Sequence, residues 1–343
     1  MLRKSMTLPG LVLGLFVCAP GAQASFILAA PVSLPGWNPS YNGGVLLYDF
    51  SGNGPLQPLP TIPGQPQTLL NDPSSAAFDA NGELFISNRH GNVGGGVGSI
   101  ARFEIDTSGN YIANGSITGN GLDAVHGLAF GPTGELFAAN FRSDTVSRFT
   151  FDGSGTAIPN GVITLDGADY VLGVAFSPAG ELFVMDYAKV MRFLFDGSGA
   201  AIPNGSFTLP VPWGESGYLT FSPGGELFVA DHLNGSVLRF LFDDNGDPVG
   251  NGTIPVKGAI ASAFSSTGEL FVSSHGFLAP IFIPDGQISR FLFDSAGNAI
   301  PNGTIATSSL GQPAIWGVYE PGTLALLGLG LAGLGFSRRR NAH

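Results

Sequence analysis

The sequence predicts an all-β protein, a six-bladed β-propeller whose blades are four-stranded antiparallel sheets. Two observations predict it: a repeat of about 45 residues, and short apolar segments separated by turns without a helical period. The composition agrees, because 52 glycines and 25 prolines without a collagen period indicate many turns. The repeat has three landmarks in fixed order, namely Gly-Glu-Leu-Phe (from Gly82, Gly134, Gly180, Gly225 and Gly268), Arg-Phe (from Arg102, Arg148, Arg192, Arg239 and Arg290) and Asn-Gly (from Asn114, Asn160, Asn204, Asn251 and Asn302).

One unit, residues 171–209, illustrates the predicted blade. Segments 172–176, 181–185 and 189–195 are apolar and are predicted as the first three strands, and segment 206–209, after an Asn-Gly pair, as the fourth. Proline, glycine and aspartate occupy the connecting segments, where they favour tight turns. Each of the five repeats therefore predicts one blade.

The segments outside the five repeats predict a sixth blade. Residues 26–29, 44–50 and 67–70 have the pattern of its second, third and fourth strands, and residues 314–318 have that of its first strand. Pairing of the two ends would close the ring and leave no free strand edge. The alternatives are five blades with loose ends, or seven blades.

The units resemble NHL repeats and the related six-bladed propellers of the gluconolactonase-like superfamily. The resemblance lies in residues 127–140 and 226–231 and in the Arg-Phe pairs that follow them, and it covers residues 72–306. It implies the fold, and as one alternative a metal-dependent lactonase-type hydrolase or lyase, whose metal is held in the central channel by acidic and amide side chains. The inner strands here are predicted to start at a poor ligand set for such a hard cation, namely Ser74, His126, Leu172, Ser216 and Ile260.

The C-terminal residues 320–343 are predicted to form a sorting tail. Glu320-Pro321-Gly322 precedes the uncharged segment 323–336, and Arg338, Arg339 and Arg340 follow it. As a helix the segment would span about 21 Å, which is short for a bilayer core of about 30 Å. The arginines are expected to stay on the cytoplasmic side, so the segment predicts a transient membrane anchor. The alternative is a buried helix, which would show a polar face.

This tail resembles the PEP-CTERM sorting signal of Gram-negative bacteria. Glu320 and Pro321 match the Pro-Glu-Pro pattern of that family, and Tyr319 stands where the family has proline. The resemblance implies recognition by an exosortase, cleavage near the motif, and delivery to the cell surface or an exopolysaccharide matrix.

The N-terminal residues 1–24 are predicted to be a secretory signal peptide. Arg3 and Lys4 precede an apolar run, and Ala22-Gln23-Ala24 is a small-x-small site, so signal peptidase is expected to cut after Ala24. The chain's single cysteine, Cys18, is then removed, and the predicted propeller, residues 25–319, has no disulfide. The formal net charge is −11, which disfavours nucleic acid as a partner.

Four histidines are candidate ligands. His90, His232 and His275 follow the second strands of blades one, four and five, and His126 enters the inner strand of blade two. Three histidines can hold zinc. Because they come from different blades, separate loop histidines are the favoured interpretation.

Asp243, Asn245 and Asp247 alternate in a turn, which is typical of a calcium loop. The twelfth position, however, is Ile254 and not glutamate. We therefore interpret these residues first as turn residues and keep calcium as the alternative; no other cofactor is predicted.

Three further sets of polar residues recur with the blades. The second strands end at acceptors such as Asp186 and Asp231, which are expected to pair with Arg192 and Arg239 across the hairpin, or alternatively to form an acidic ring around the channel. The Asn-Gly pairs, some of which match glycosylation sequons, are interpreted as turns with positive φ. The five glutamates of the Gly-Glu-Leu-Phe segments are expected to be solvated, namely Glu83, Glu135, Glu181, Glu226 and Glu269.

Three hypotheses for function follow. The first is a non-enzymatic surface or matrix protein whose propeller binds an exopolysaccharide or a surface protein. The second is the lactonase-type enzyme, and the third is a periplasmic scaffold whose tail is an anchor.

Overall fold

The computed structural model describes residues 25–32, 43–51, 55–63, 69–90, 97–106, 110–187, 189–211, 216–278, 281–307 and 312–318. The predicted signal peptide and sorting tail lie outside these residues. Within the described part of the chain, no helix is long and apolar enough to cross a membrane.

The described residues form six four-stranded antiparallel sheets, as the repeat predicts. Blade one contains β4 (Pro73–Phe78), β5 (Leu84–Asn88), β6 (Ser99–Ile105) and β7 (Tyr111–Ile117), and blade two contains β8 (Val125–Phe130), β9 (Leu136–Asn140), β10 (Thr145–Phe151) and β11 (Ala157–Thr164). Blade three contains β12 (Val171–Phe176), β13 (Leu182–Asp186), β14 (Lys189–Phe195) and β15 (Ala201–Thr208), and blade four contains β16 (Ser216–Phe221), β17 (Leu227–Asp231), β18 (Ser236–Phe242) and β19 (Pro248–Pro255). Blade five contains β20 (Ala259–Phe264), β21 (Leu270–Leu278), β22 (Ile281–Phe293) and β23 (Ala299–Thr307), and blade six contains β1 (Ser25–Val32), β2 (Gly44–Ser51), β3 (Gln57–Pro58) and β24 (Ala314–Val318).

The two ends of the ring share blade six, which confirms the predicted closure. β24 pairs antiparallel with β1, from Ser25 opposite Val318 to Ala29 opposite Ala314, and the sheet order is β24-β1-β2-β3. The expected fourth strand at 67–70 is wrong: Leu69 and Leu70 are not in a strand, and 67–68 lie outside the described residues. β3 and a bridge from Ile62 to Val45 take that place, because β2 finds its partner sooner along the chain.

Phenylalanines pack between successive blades and form much of the core. In blade three, the fully buried Phe183 of β13 meets Phe221 and Phe242 of blade four edge-on, at centroid distances of 4.8 and 5.5 Å. The same three positions recur around the ring, and Phe50 of blade six closes it against Phe271 of blade five at 5.0 Å. These contacts bury large apolar area and hold each blade to the next.

The Asn-Gly pairs lie inside the outermost strands and not in turns, which corrects the sequence-based interpretation. In blade three, Met191 pairs with Ser206 and Phe193 with Pro203, so Arg192 faces a β-bulge at Asn204-Gly205. Gly205 has φ +88, and the glycines of the other four pairs are also positive. The predicted positive φ is therefore confirmed, and its role is to bulge the strand opposite each arginine.

Candidate functional site at the channel mouth

The blade arginines pair with the glutamates and not with the acceptors at the strand ends. The prediction that the arginines pair with those acceptors is therefore wrong, and so is the prediction that the glutamates are solvated. Each arginine donates from Nε and Nη2 to both carboxylate oxygens at 2.7–2.9 Å, and an Asn-Gly asparagine donates to the same carboxylate at 2.6–2.8 Å. The triads are Glu83–Arg102–Asn114, Glu135–Arg148–Asn160, Glu181–Arg192–Asn204, Glu226–Arg239–Asn251 and Glu269–Arg290–Asn302.

The two-residue period of a strand explains these partners. Arg192 lies opposite Phe183, and Glu181, two residues before Phe183, projects from the same face. Asp186 is three residues beyond Phe183 and projects from the other face. The glutamate side chains are at most 14% exposed, so they are ion-paired in the blade interior and not solvated.

Each triad also reaches the following blade. Arg192 lies over the rings of Phe183 and Phe242, and its Nη1 donates to the carbonyl of Gly246. Arg148 and Arg239 make the equivalent bonds to Gly199 and Gly297. The triads therefore join neighbouring blades, which is a structural role and not a catalytic one.

A cleft of about 310 Å³ opens between blades four and five beside one triad. Glu226, Arg239, Phe264 and Phe293 are among the residues that line it. Because the two charged groups there already satisfy each other, we assign the cleft to the packing of the blades.

The acceptors at the ends of the second strands fix nearby loops, which in blades one to three are the loops that enter the innermost strands. Asn88, Asn140 and Asp186 accept the backbone N–H of Asn71, Asp123 and Asp169, at 2.9, 3.1 and 3.2 Å. In blade four, Asp231 accepts both the N–H and the side-chain amide of Asn234. Burial raises the pKa of Asp186 above its ordinary value, and the hydrogen bond from Asp169 opposes that shift. These acceptors do not form an acidic ring.

The innermost strands all begin at one face of the ring, which we call the channel mouth. The residue before the strand has a positive φ in four blades, namely Asp72 (+55°), Ala124 (+48°), Tyr170 (+62°) and Gly258 (+69°). The second strands end at the same face. Side chains from different blades therefore meet here.

Tyr218 crosses the channel mouth. It belongs to β16 of blade four, and its hydroxyl contacts Ser74 Oγ of blade one, on the opposite side of the ring. It also lies 3.4 Å from Nδ1 of His126 in blade two. Tyr218 is 5% exposed, and burial raises its pKa, so its hydroxyl stays protonated at neutral pH. Three blades thus contribute to one polar cluster.

His126 is the predicted site residue that this cluster includes. Its ring is surrounded by protein, although part of its surface stays accessible. Burial, together with the positive charge of Arg89 and His90, holds the pKa of His126 well below its ordinary value, so the ring is neutral at pH 7. His90 is exposed and lies 3.1 Å from the carboxylate of Asp72, which also pairs with Arg89.

A row of aromatic rings runs from His126 across blades two and three. His126 stacks on Phe141 at 4.6 Å, Phe141 lies 4.9 Å from Tyr170, and Tyr170 lies 5.1 Å from Tyr187. The angle between successive planes increases from 20° to 35° to 53°. We call these four residues the aromatic row. The residues predicted from the sequence do not include the other three rings or Tyr218. Phe141, Tyr170 and Tyr187 each lie directly beside a strand end, which could have indicated them, whereas Tyr218 lies within β16.

Two further candidate histidines belong to blades four and five. His232 is partly buried at the end of β17, and His275 lies in β21 with a side chain outside the described part of the structure. In the described residues, no three histidine, cysteine or acidic side chains come together as a metal site.

Asp243 acts within its own turn. Its Oδ1 accepts the backbone N–H of Asn245 and of Asp247, both at 2.9 Å, and these bonds lower its pKa, that from Asp247 most. Asp152 and Asp196 do the same in blades two and three. The arrangement is that of an aspartate-stabilised turn.

The channel positions do not fit the divalent metal that the gluconolactonase-like resemblance implies. The second residues of the innermost strands are Ser74, His126, Leu172, Gly217, Ile260 and Ile315. In blade four this residue is Gly217 and not Ser216, because Ser216 pairs with Asp231 as Val171 pairs with Asp186. The set lacks the carboxylate and amide oxygens that hard cations prefer.

A family model for the PEP-CTERM protein-sorting motif matches residues 320–340. This chain carries a PEP-CTERM sorting motif. The motif implies exosortase-dependent export and a membrane-associated C-terminal sorting signal of the kind found in Gram-negative bacteria. No curated protein matches the chain.

Solved structures match the propeller. The periplasmic gluconolactonase PpgL of Pseudomonas aeruginosa has a TM-score of 0.61 and 19% identity, with 87% of this chain and 100% of that chain covered. A Lactobacillus plantarum protein has a TM-score of 0.55 and 17% identity over 82% of each chain. A protein of unknown function from Bacteroides caccae has a TM-score of 0.53 and 11% identity, with 86% and 99% covered. At these identities the likeness shows the fold alone, a six-bladed propeller.

Proposed function

We propose that this chain is an exported, exosortase-processed protein of the cell surface or exopolysaccharide matrix, and that its propeller is a binding module. The sorting motif at residues 320–340 carries the proposal. Its ligand is an exopolysaccharide or a surface protein.

The order of the signal peptide, propeller and sorting tail along the chain supports export followed by exosortase processing. Residues 1–24 serve as the signal peptide that signal peptidase removes after Ala24, and 25–319 form the propeller domain. β24 ends at Val318, two residues before Glu320. Exosortase cleavage near Glu320-Pro321-Gly322 leaves β24 intact, while segment 323–336 and Arg338 to Arg340 hold the chain in the membrane until that cut.

The channel mouth favours binding over metal-dependent hydrolysis. Tyr218 crosses the channel, and the inner-strand positions offer one serine and one histidine among apolar residues and glycine. The partly exposed aromatic row beside them offers ring surface to a ligand.

The alternative is a lactonase-type hydrolase or lyase. The likeness to the periplasmic gluconolactonase PpgL favours it, as does the contact of Tyr218 with His126 and Ser74. A neutral histidine beside a protonated tyrosine has the groups that acid–base chemistry needs.

Binding and activity can be measured on the same protein, purified from its own host. The proposal predicts that it binds extracellular polysaccharide or envelope protein of that host and that chelator-treated and untreated samples open sugar lactones equally slowly. Lactone opening that chelation abolishes, without binding to extracellular material, would establish the alternative.

A further inference from the structure

The backbone at Tyr170 is one that glycine adopts at least cost. Tyr170 has φ +62, and the equivalent residue of blade five, also directly before the innermost strand, is Gly258 with φ +69. The blade fold therefore needs no side chain at this place. The backbone conformation therefore does not explain why a tyrosine occupies this position.

The ring of Tyr170 also contributes little to the core. It is 41% exposed, which makes it the most exposed phenylalanine or tyrosine among the side chains whose burial the structure describes. Neighbouring groups nevertheless hold it, because Phe141 and Tyr187 lie beside the ring and Asp144 accepts its backbone N–H at 2.7 Å. Tyr170 is thus a positioned surface ring.

We propose that the aromatic row binds a neutral or amino-sugar polysaccharide, with Tyr170 as its central contact. The C–H faces of pyranose rings are apolar and pack on aromatic rings, while their hydroxyls need acceptors. Asp144 and Asp169 flank Tyr170 and supply carboxylate oxygens for those hydroxyls. The inference rests on the proposed function, which places the propeller among extracellular glycans.

The negative charge of the protein and the narrow width of the aromatic row favour a neutral or amino-sugar polysaccharide as the ligand. The chain has a net charge of −11, and carboxylates flank the row, so an anionic polymer is disfavoured. A protein partner would need a broad apolar patch, whereas the row offers one exposed ring between two partly buried ones. A narrow row of rings suits a single extended glycan chain.

The test is affinity electrophoresis of the protein purified from its own host, in gels containing hydroxyethyl cellulose, galactomannan, laminarin, glycol chitosan or alginate. Tyr170→Gly removes the ring and relieves the left-handed backbone, so it should bind about tenfold more weakly without loss of thermal stability. Tyr170→Phe keeps the ring and should bind as the wild type does. Leu194→Ser changes another residue, 45% exposed, in β14 and is the matched control.

Retardation in at least one neutral or amino-sugar gel that Tyr170→Gly loses, and that Tyr170→Phe and Leu194→Ser keep, is the expected result. Retardation in none of these gels, retardation by alginate alone, or equal retardation of Tyr170→Gly and the wild type would overturn the inference. Export of the protein and its binding to host envelope protein are scored separately. If both persist in Tyr170→Gly while no gel retards the wild type, the proposed function stands and only the glycan site fails.

Discussion

At the scale of single residues, the position of His126 at the channel mouth lowers the pKa of its ring. His126 is predicted from the sequence as a candidate ligand, and in the structure it lies between the hydroxyl of Tyr218 and the ring of Phe141. Burial and neighbouring positive charge keep it neutral. Its protonation should therefore destabilise the propeller.

The pH dependence of stability tests this account of His126. Because the pKa of His126 is lowered in the folded state, the unfolded chain binds the proton first as the pH falls below about 6.5. The stability that neutral His126 provides is thus complete above that pH and declines below it. His126→Gln cannot titrate, so the unfolding free energy of the wild type should fall more steeply than that of the variant between pH 7 and 5 in urea titrations. Parallel pH profiles would contradict the account.

Glycines in the blades allow a matched test of backbone strain. Gly205 has φ +88 in the bulge opposite Arg192, and Gly197 in a nearby turn has no such φ; an added Cβ would meet nothing within 4 Å at either place. Gly205→Ala should cost about 1–2 kcal/mol, whereas Gly197→Ala should be neutral or stabilising by up to about 1 kcal/mol. Equal effects in chemical denaturation would show that the bulge does not require glycine.

At the scale of elements, the triads of glutamate, arginine and asparagine determine how one blade sits on the next. The sequence predicted that these residues recur, but it assigned the wrong partners. A strand's two-residue period places Glu181 and Arg192 on one face, and this could have been deduced from the register of Phe183 opposite Arg192. The bulge that brings Asn204 to the carboxylate depends on pairing that the sequence alone does not give.

The unfolding free energy that is lost when a triad is broken should increase with the burial of that triad. The side chains of Glu269 and Arg290 are 0% and 5% exposed, whereas those of Glu181 and Arg192 are 13% and 14% exposed. Glu269→Ala leaves a buried guanidinium without its carboxylate and should lose about 3–5 kcal/mol of unfolding free energy. Glu181→Ala should lose less, because water reaches Arg192. Urea unfolding measures both, with the exposed Asp166→Ala as control; the reverse order would refute the grading.

At the scale of the molecule, the fold could be predicted from the sequence repeat, but the polar cluster at the channel mouth could not. The landmarks recur with each blade, so the blade count and the closing strand at 314–318 follow from the sequence. The channel cluster draws Ser74, His126 and Tyr218 from three blades, and these come together only when the ring closes. Nothing in the local pattern around Tyr218 distinguishes it from another strand residue.

Ring closure by β24 should be essential to a cooperative fold. A chain ending at Val318 retains the pairing with β1, and a chain ending at Pro313 loses it and exposes the edge of β1. The first should unfold in one thermal transition followed by circular dichroism, and the second should melt at lower temperature and aggregate. Identical transitions would contradict the claim that β24 closes the ring.

The central claim is that the sorting motif releases an intact propeller outside the cell. The most direct measurement is the intact mass of the protein recovered from its host's extracellular material, with and without the host's exosortase. The account predicts a chain that begins at Ser25 and ends beyond Val318 close to Glu320, and a membrane-bound chain that keeps Arg338 to Arg340 when the exosortase is absent. An extracellular chain that still carries those arginines, or the same processed mass without exosortase, would contradict it.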